Sequence, residues 1–149
     1  MEQNVWFVDK PDGDFRRAKA PVPALARNQV TVRIAASGVN PLDTKIRAGK
    51  AAHAKQPLPA VLGLDMAGTV QETGRCITAF KPGDEVYGMV GGVGGLQGTL
   101  AELITVDVHL LAHKPKNLTM RQAAALPLSI ITAWEGLVDR AMSAPVIAS

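Results

Sequence analysis

Six glycines fall in the eleven residues from Gly88 to Gly98, the segment best suited by composition to cradle a phosphate. A dinucleotide fingerprint would need G-x-G-x-x-G, and after Gly92 and Gly94 the third position holds Gln97; no Lys-Ser or Lys-Thr pair offers a P-loop either. The run leads into alternating apolar and polar residues, whereas phosphate binding uses the N-terminus of a helix. It is therefore expected to be a flexible loop or hairpin at a cleft edge. His109 and His113 are four apart in a strand-like stretch, which separates them by about 13 Å, too far to share a metal. His53 has no carboxylate or Cys close in sequence, and no G-x-S-x-G surrounds Ser37, Ser129, Ser143 or Ser149. The single Cys76 excludes a disulfide framework and any zinc site of several thiolates. Hydrolytic chemistry thus has no support in the sequence. A polar group remains at Asn40-Pro41-Leu42-Asp43, where Asn can cap a helix, Pro at the first helical position loses no hydrogen bond, and Asp43 suits the helix dipole.

The elements that would carry these residues follow from periodicity. Val5–Val8 and a segment from Phe15 predict short strands, with Pro11-Asp12-Gly13-Asp14 as the turn. Val30, Val32, Ile34 and Ala36 alternate with Thr31, Arg33, Ala35 and Ser37, the pattern of a strand with one buried face. A short helix from Asn40 to about Gly49, an exposed loop over 50–60, and strands at Met66–Thr73 and Glu85–Val90 follow. A long strand is predicted from Thr99 to Leu110, with Glu102 the one residue out of phase. Many short strands between Gly and Pro turns predict a closed or nearly closed barrel. Thr119 with Gln122 forms a capping box that opens a helix through Ala123–Leu126, which Pro127 ends or kinks. Beyond it Ile130, Trp134, Leu137, Val138 and Ala141 line one face of an amphipathic helix that needs a partner surface. The fold class is mainly β with α (α+β), with a barrel over 1–118 and helices over 119–149.

The chain has 149 residues, 47% of them apolar, and a net charge of +3. Its basic excess sits in the first 60 residues, interspersed with acids, and only six aromatics are available to stack bases, so no nucleic-acid surface is expected. The longest nearly apolar stretch, Ala123–Trp134, is 12 residues against the roughly 20 of a membrane span, so no membrane association is expected. The N-terminus lacks a basic start with an apolar core behind it, and with one Cys a cytoplasmic, reducing location is expected.

The order of segments carries a resemblance. Gly38-Val-Asn-Pro-Leu-Asp-Thr-Lys-Ile-Arg-Ala-Gly49, Leu58-Pro-Ala-Val-Leu-Gly-Leu-Asp-Met-Ala-Gly-Thr-Val70, Phe80-Lys-Pro-Gly-Asp-Glu-Val-Tyr-Gly88, Gly98-Thr-Leu-Ala-Glu102 and Ala123-Ala-Ala-Leu-Pro with Thr132-Ala-Trp134 resemble successive motifs of the medium-chain dehydrogenase/reductase superfamily. They look most like its zinc-independent quinone oxidoreductase branch. The resemblance implies a GroES-like β-barrel followed by C-terminal helices. In zinc-dependent members the positions of Asn40, Leu64 and Asp65 hold Cys, His and Glu; a leucine donates nothing to Zn²⁺, so no catalytic zinc is implied.

What the resemblance implies instead is hydride transfer from NADPH, with NADH possible, to a small-molecule quinone, enone or similar electrophilic carbonyl compound. Asn40, Asp43 and Asp65 are then the implied catalytic residues, and Asn40 and Thr132 line the cofactor. Lys45 and Ala51 stand where such reductases often carry tyrosines, and together with Leu64 they are the implied substrate-cleft positions. The family's Rossmann domain would follow the Trp134 helix, and no such fingerprint occurs in this chain. The chain is therefore expected to be the N-terminal portion of a homodimeric enzyme, inactive alone. The alternatives are a stand-alone GroES-like binding or assembly module and a relative of the zinc-type alcohol dehydrogenases.

Overall fold

In a computed structural model of the chain, residues 1–141 are described. Among them the strands form two antiparallel sheets. The smaller has the order β2-β1-β4, with β1 (Glu2–Val8) between β2 (Arg16–Pro21) and β4 (Ala60–Val61). The larger has the order β7-β3-β5-β6-β8: β3 (Gln29–Ser37) and β5 (Asp65–Thr73) lie centrally, flanked by β7 (Leu103–Asp107), β6 (Glu85–Met89) and β8 (Ala112–His113). The fold is mainly β with α-helices.

The two sheets are joined where the long predicted strand breaks. Over Thr99–Leu110 only Leu103–Asp107 forms a regular strand, and Val108–Leu110 closes into a 3₁₀ turn in which Asp107 Oδ1 accepts the His109 N–H at 2.9 Å. Residues 99–102 instead bond to the other sheet: Trp6 N–H donates to Leu100 O at 2.8 Å, and Leu100 N–H to Leu62 O at 2.9 Å. Glu102, out of phase in the alternation, sits at this crossover. Its carboxylate accepts the Asn4 backbone N–H at 2.9 Å and the Asn4 side-chain amide at 2.7 Å, while its own carbonyl receives Ile34 N–H at 3.0 Å.

The glycine run is a loop, but a packed one. Gly94 N–H donates to Ala54 O at 2.8 Å, Gly95 N–H to Gln56 Oε1 at 2.9 Å and Gly98 N–H to Val61 O at 3.0 Å. Gly91, Gly92 and Gly98 are buried. Glycine content here serves close backbone approach, since a Cβ at Gly98 would lie 2.2 Å from Leu62 C and O.

Two apolar clusters fill the interior. Val30, Val32, Met66, Val70, Val86 and Ile104 pack on the large sheet. Val8, Ile46, Ala54, Leu62 and Leu64 pack beneath α1 (Pro41–Arg47). Helix α2 (Met120–Ala124) starts at the predicted capping box: Thr119 Oγ1 accepts Gln122 N–H at 3.2 Å, and Gln122 Oε1 accepts Thr119 N–H at 2.9 Å. Its Ala123 and Ala124 pack on Ala67 of β5.

Pro127 restarts the chain as α3 (Pro127–Trp134), which continues as a wider π turn over Glu135–Arg140. The predicted apolar stripe of this helix is uncovered: Ile130 is 49% exposed, Trp134 60% and Leu137 74%. The part of the expected 119–149 helical segment beyond residue 141 lies outside the described residues. Among the described residues no helix is long and apolar enough to cross a membrane.

Candidate functional site

The site grows from the turn between β4 and β5. Gly63 adopts φ +105°, a conformation that glycine takes freely, and a Cβ there would meet Thr99 Oγ1 at 2.3 Å. This turn delivers Leu64 and Asp65 to the interior, both with no exposed surface. Opposite them the chain leaves β3 through Gly38 and enters α1 at Asn40, which is buried with Asp43.

Three polar side chains meet here. Asp43 Oδ2 accepts the backbone N–H of Asn40 at 2.8 Å, the carboxylate half of a capping box. Asn40 Nδ2 reaches across to Asp65 Oδ2 at 3.0 Å. The same Oδ2 accepts the backbone N–H of Leu128, in the first turn of α3, at 3.1 Å. Among the described residues the second oxygen of Asp65, Oδ1, is buried with no hydrogen-bond partner. Burial pushes both carboxyls above their usual value. For Asp43 the hydrogen bonds with Asn40 partly offset the rise and the charge of Asp65 adds to it; for Asp65 the bonds from Asn40 and Leu128 are the offset.

Residues 26–116 match the alcohol dehydrogenase GroES-like domain. The chain belongs to that family. It is 44% identical over 143 residues to the 2-methylene-furan-3-one reductase of Solanum lycopersicum, covering 91% of this chain and 37% of the relative. It is 46% identical over 127 residues to the chloroplastic NADPH-dependent alkenal/one oxidoreductase of Arabidopsis thaliana, covering 83% and 33%. Among solved structures, an alcohol dehydrogenase superfamily protein from Novosphingobium aromaticivorans is 57% identical with a TM-score of 0.92, over 93% of this chain and 42% of that one. The chain thus spans about a third of the length of the curated relatives. These relatives place it in the medium-chain dehydrogenase/reductase superfamily, next to its enone and quinone oxidoreductases.

Within this GroES-like domain the residues singled out from sequence divide into two sets. Asn40, Asp43 and Asp65 form one connected cluster, and Thr132, exposed on α3, lies one helical turn beyond the Leu128 N–H bound to Asp65. Lys45 is exposed on α1. Leu64 and Ala51 are buried together in the apolar cluster beneath α1, where Ala51 also borders a hollow lined by Ile46, Lys55 and Pro57.

Sequence reasoning missed two features. One is the Leu128 N–H, a backbone donor with no side-chain signature. The other is a cavity of about 500 Å³ walled by Trp6, Phe15, Val39, Leu62 and Leu100, beside Asp43. Asp43 and Lys45 are about 200° apart around α1, so this cavity opens on a different side from Lys45.

The raised carboxyls make stability depend on pH. Below the usual carboxylate value of 3.8 the carboxyl holds its proton in both folded and unfolded chains. As pH climbs from there through the raised folded value, the unfolded chain releases its proton first, so the folded state loses ground. The Asp65→Asn variant is therefore expected to match the parent below about pH 4 and to gain on it steadily toward neutrality. Thermal midpoints collected from about pH 3 to 8 check this; parallel curves for the two proteins would refute it.

Proposed function

We propose that this chain is the substrate-facing part of an NADPH-dependent reductase that delivers hydride to a carbon–carbon double bond conjugated to a carbonyl, or to a quinone, without catalytic zinc. The observation that carries the proposal is the junction at Asp65, where one carboxylate oxygen accepts both the Asn40 amide at the cap of α1 and the backbone N–H of Leu128 in the first turn of α3, the helix that carries Thr132 one turn further on. The names of the two plant relatives, an alkenal/one oxidoreductase and a 2-methylene-furan-3-one reductase, support the acceptor class.

Asn40 and Thr132 would hold the nicotinamide end of the cofactor, and bound NADPH would supply the hydride, the chemistry the side chains themselves lack. Asn40 suits the task because its amide is buried and held by the Asp65 carboxylate, so it binds without first being ordered. Most of the dinucleotide would be held by a further nucleotide-binding domain packed near α3, in keeping with relatives roughly two and a half times as long. Lys45, exposed on the helix that Asn40 opens, is the polar group proposed to face the substrate, with Ala51 at the edge of the hollow lined by Ile46, Lys55 and Pro57. The donors do not fit zinc: Leu64 has none and sits in an apolar cluster, and the Asn40 amide turns its nitrogen toward Asp65.

The test is to offer the full-length protein NADPH or NADH with enones, alkenals and quinones. Nicotinamide oxidation matched by formation of the saturated carbonyl or the hydroquinone is the expected result. No oxidation with any acceptor overturns the proposal, and stoichiometric bound zinc required for turnover overturns its zinc-free form.

A further inference from the structure

A single oxygen of Asp65 accepts two hydrogen bonds whose donors come from different elements: Asn40 Nδ2 at the cap of α1 and Leu128 N–H in the first turn of α3. We propose that Asp65 is a positioning residue that sets the orientation of the Asn40 amide and ties the start of α3, which carries Thr132, to the start of α1. The inference rests on the proposed cofactor-facing role of Asn40 and Thr132 and deepens it.

An Asn side chain can turn either its oxygen or its nitrogen toward a neighbour, and only the partner decides which. An oxygen that already accepts one N–H leaves room for another donor, so Asp65 selects the nitrogen. On the other side, the first-turn N–H groups of a helix have no acceptor within the helix, and a carboxylate there satisfies one of them and suits the dipole. Leu128 holds such an N–H, and Thr132 stands about 6 Å further along the axis. A shift at Leu128 is passed to Thr132 through one rigid turn.

The surroundings favour a role in placement over one in stability alone. Asp65 is fully buried, yet among the described residues its Oδ1 has no partner. A group serving stability alone would have both oxygens satisfied, because each bare buried polar atom is unfavourable. Gly38, where an added Cβ would stand only 3.0 Å from Asp65 Cβ, donates its N–H to the Asp65 carbonyl at 2.9 Å, so the backbone of Asp65 is held as well.

The experiment uses the full-length protein with Asp65→Leu, Asp65→Asn and Asn40→Ala, singly and combined. Leucine removes the shared acceptor at similar volume, whereas asparagine keeps an oxygen that can take both N–H groups. Asp65→Leu is expected to lower kcat/KM about 10- to 100-fold, the scale of a misplaced contact near the reacting atoms, and Asp65→Asn to recover most of that loss. Added to Asn40→Ala, Asp65→Leu should cost much less than it does alone, because the amide it positions is gone. Independently of turnover, the Asn40 side-chain NH₂ signals should be protected from exchange in the parent and in Asp65→Asn, and unprotected in Asp65→Leu.

Losses that multiply in the double variant, or an Asn40 NH₂ equally protected in Asp65→Leu, overturn the proposal. Should Asp65→Leu not fold, Asp65→Asn decides: if it loses as much kcat/KM as Asn40→Ala, an acceptor in that place is not sufficient and the positioning role falls. A parent protein with no nicotinamide oxidation overturns the proposed function instead, and the NH₂ comparison then decides the positioning by itself.

Discussion

Replacing Gly38 by alanine is expected to lower the stability of this domain by about 3 kcal/mol, at the upper end of what overpacking normally does. A Cβ at that position would stand 2.2 Å from the carbonyl oxygen of Ala124 and 3.0 Å from Asp65 Cβ. The first of these neighbours is backbone at the end of α2, so no side-chain rotation relieves the contact. Helix α2 would have to lift from β3 and β5, uncovering Ala123 and Ala124, which are now 0% and 1% exposed. Against a typical domain stability of about 5–15 kcal/mol this is a large fraction. Urea unfolding should show a lower midpoint with an unchanged slope. Gly94→Ala is the control: Gly94 has φ +63° but nothing near its Cβ position, so only backbone strain of about 1 kcal/mol is expected. Equal midpoints for Gly38→Ala and the parent would show that α2 packs less closely than the structure has it.

The second large effect concerns the uncovered face of α3. Complete burial of Ile130, Trp134 and Leu137 would contribute about 1.5–3 kcal/mol each. With 49%, 60% and 74% of their surfaces still exposed, roughly 3–5 kcal/mol of that is still to be gained. The 149-residue chain by itself should therefore self-associate through this face. Exchanging the three residues for Gln, Arg and Glu should weaken the association by about a hundredfold or more. Sedimentation over a range of concentrations measures it. A monodisperse monomer of the unaltered chain would refute the expectation, as would equal association of the triple variant.

The same residues show how far sequence reasoning reaches. The strand alternation at Gln29–Ser37, the helix start at Asn40-Pro41 and the Thr119/Gln122 capping box are local patterns, written within a few residues of each other, and each appears in the structure at that place. The amphipathic stripe of α3 is equally legible, and in the structure it is exposed. The predicted strand from Thr99 to Leu110 was too long because the alternation continues across a change of sheet. Only Glu102 marked the break, and its partner Asn4 is 98 residues away. The glycine run showed as a loop, while its packing against Ala54, Val61 and Gly63 did not, since close backbone approach depends on what lies opposite.

For the candidate site, residue types and their order pointed to Asn40, Asp43 and Asp65 through a family resemblance, with local chemistry explaining only the helix cap. That cap pairing, Asp43 with the Asn40 N–H, spans three residues and is a property of the sequence itself. The bond from Asn40 to Asp65 spans 25 residues and that from Leu128 to Asp65 spans 63. They exist because β3 and β5 lie side by side and α2 and α3 fold back over them. Composition and periodicity by themselves determined a mainly β chain with an amphipathic helix and no zinc site of several thiolates, because those properties depend on neighbours along the chain. Which buried oxygens go without a partner, and which two helices share one carboxylate, only the tertiary structure decided, because burial and hydrogen-bond geometry depend on neighbours in space.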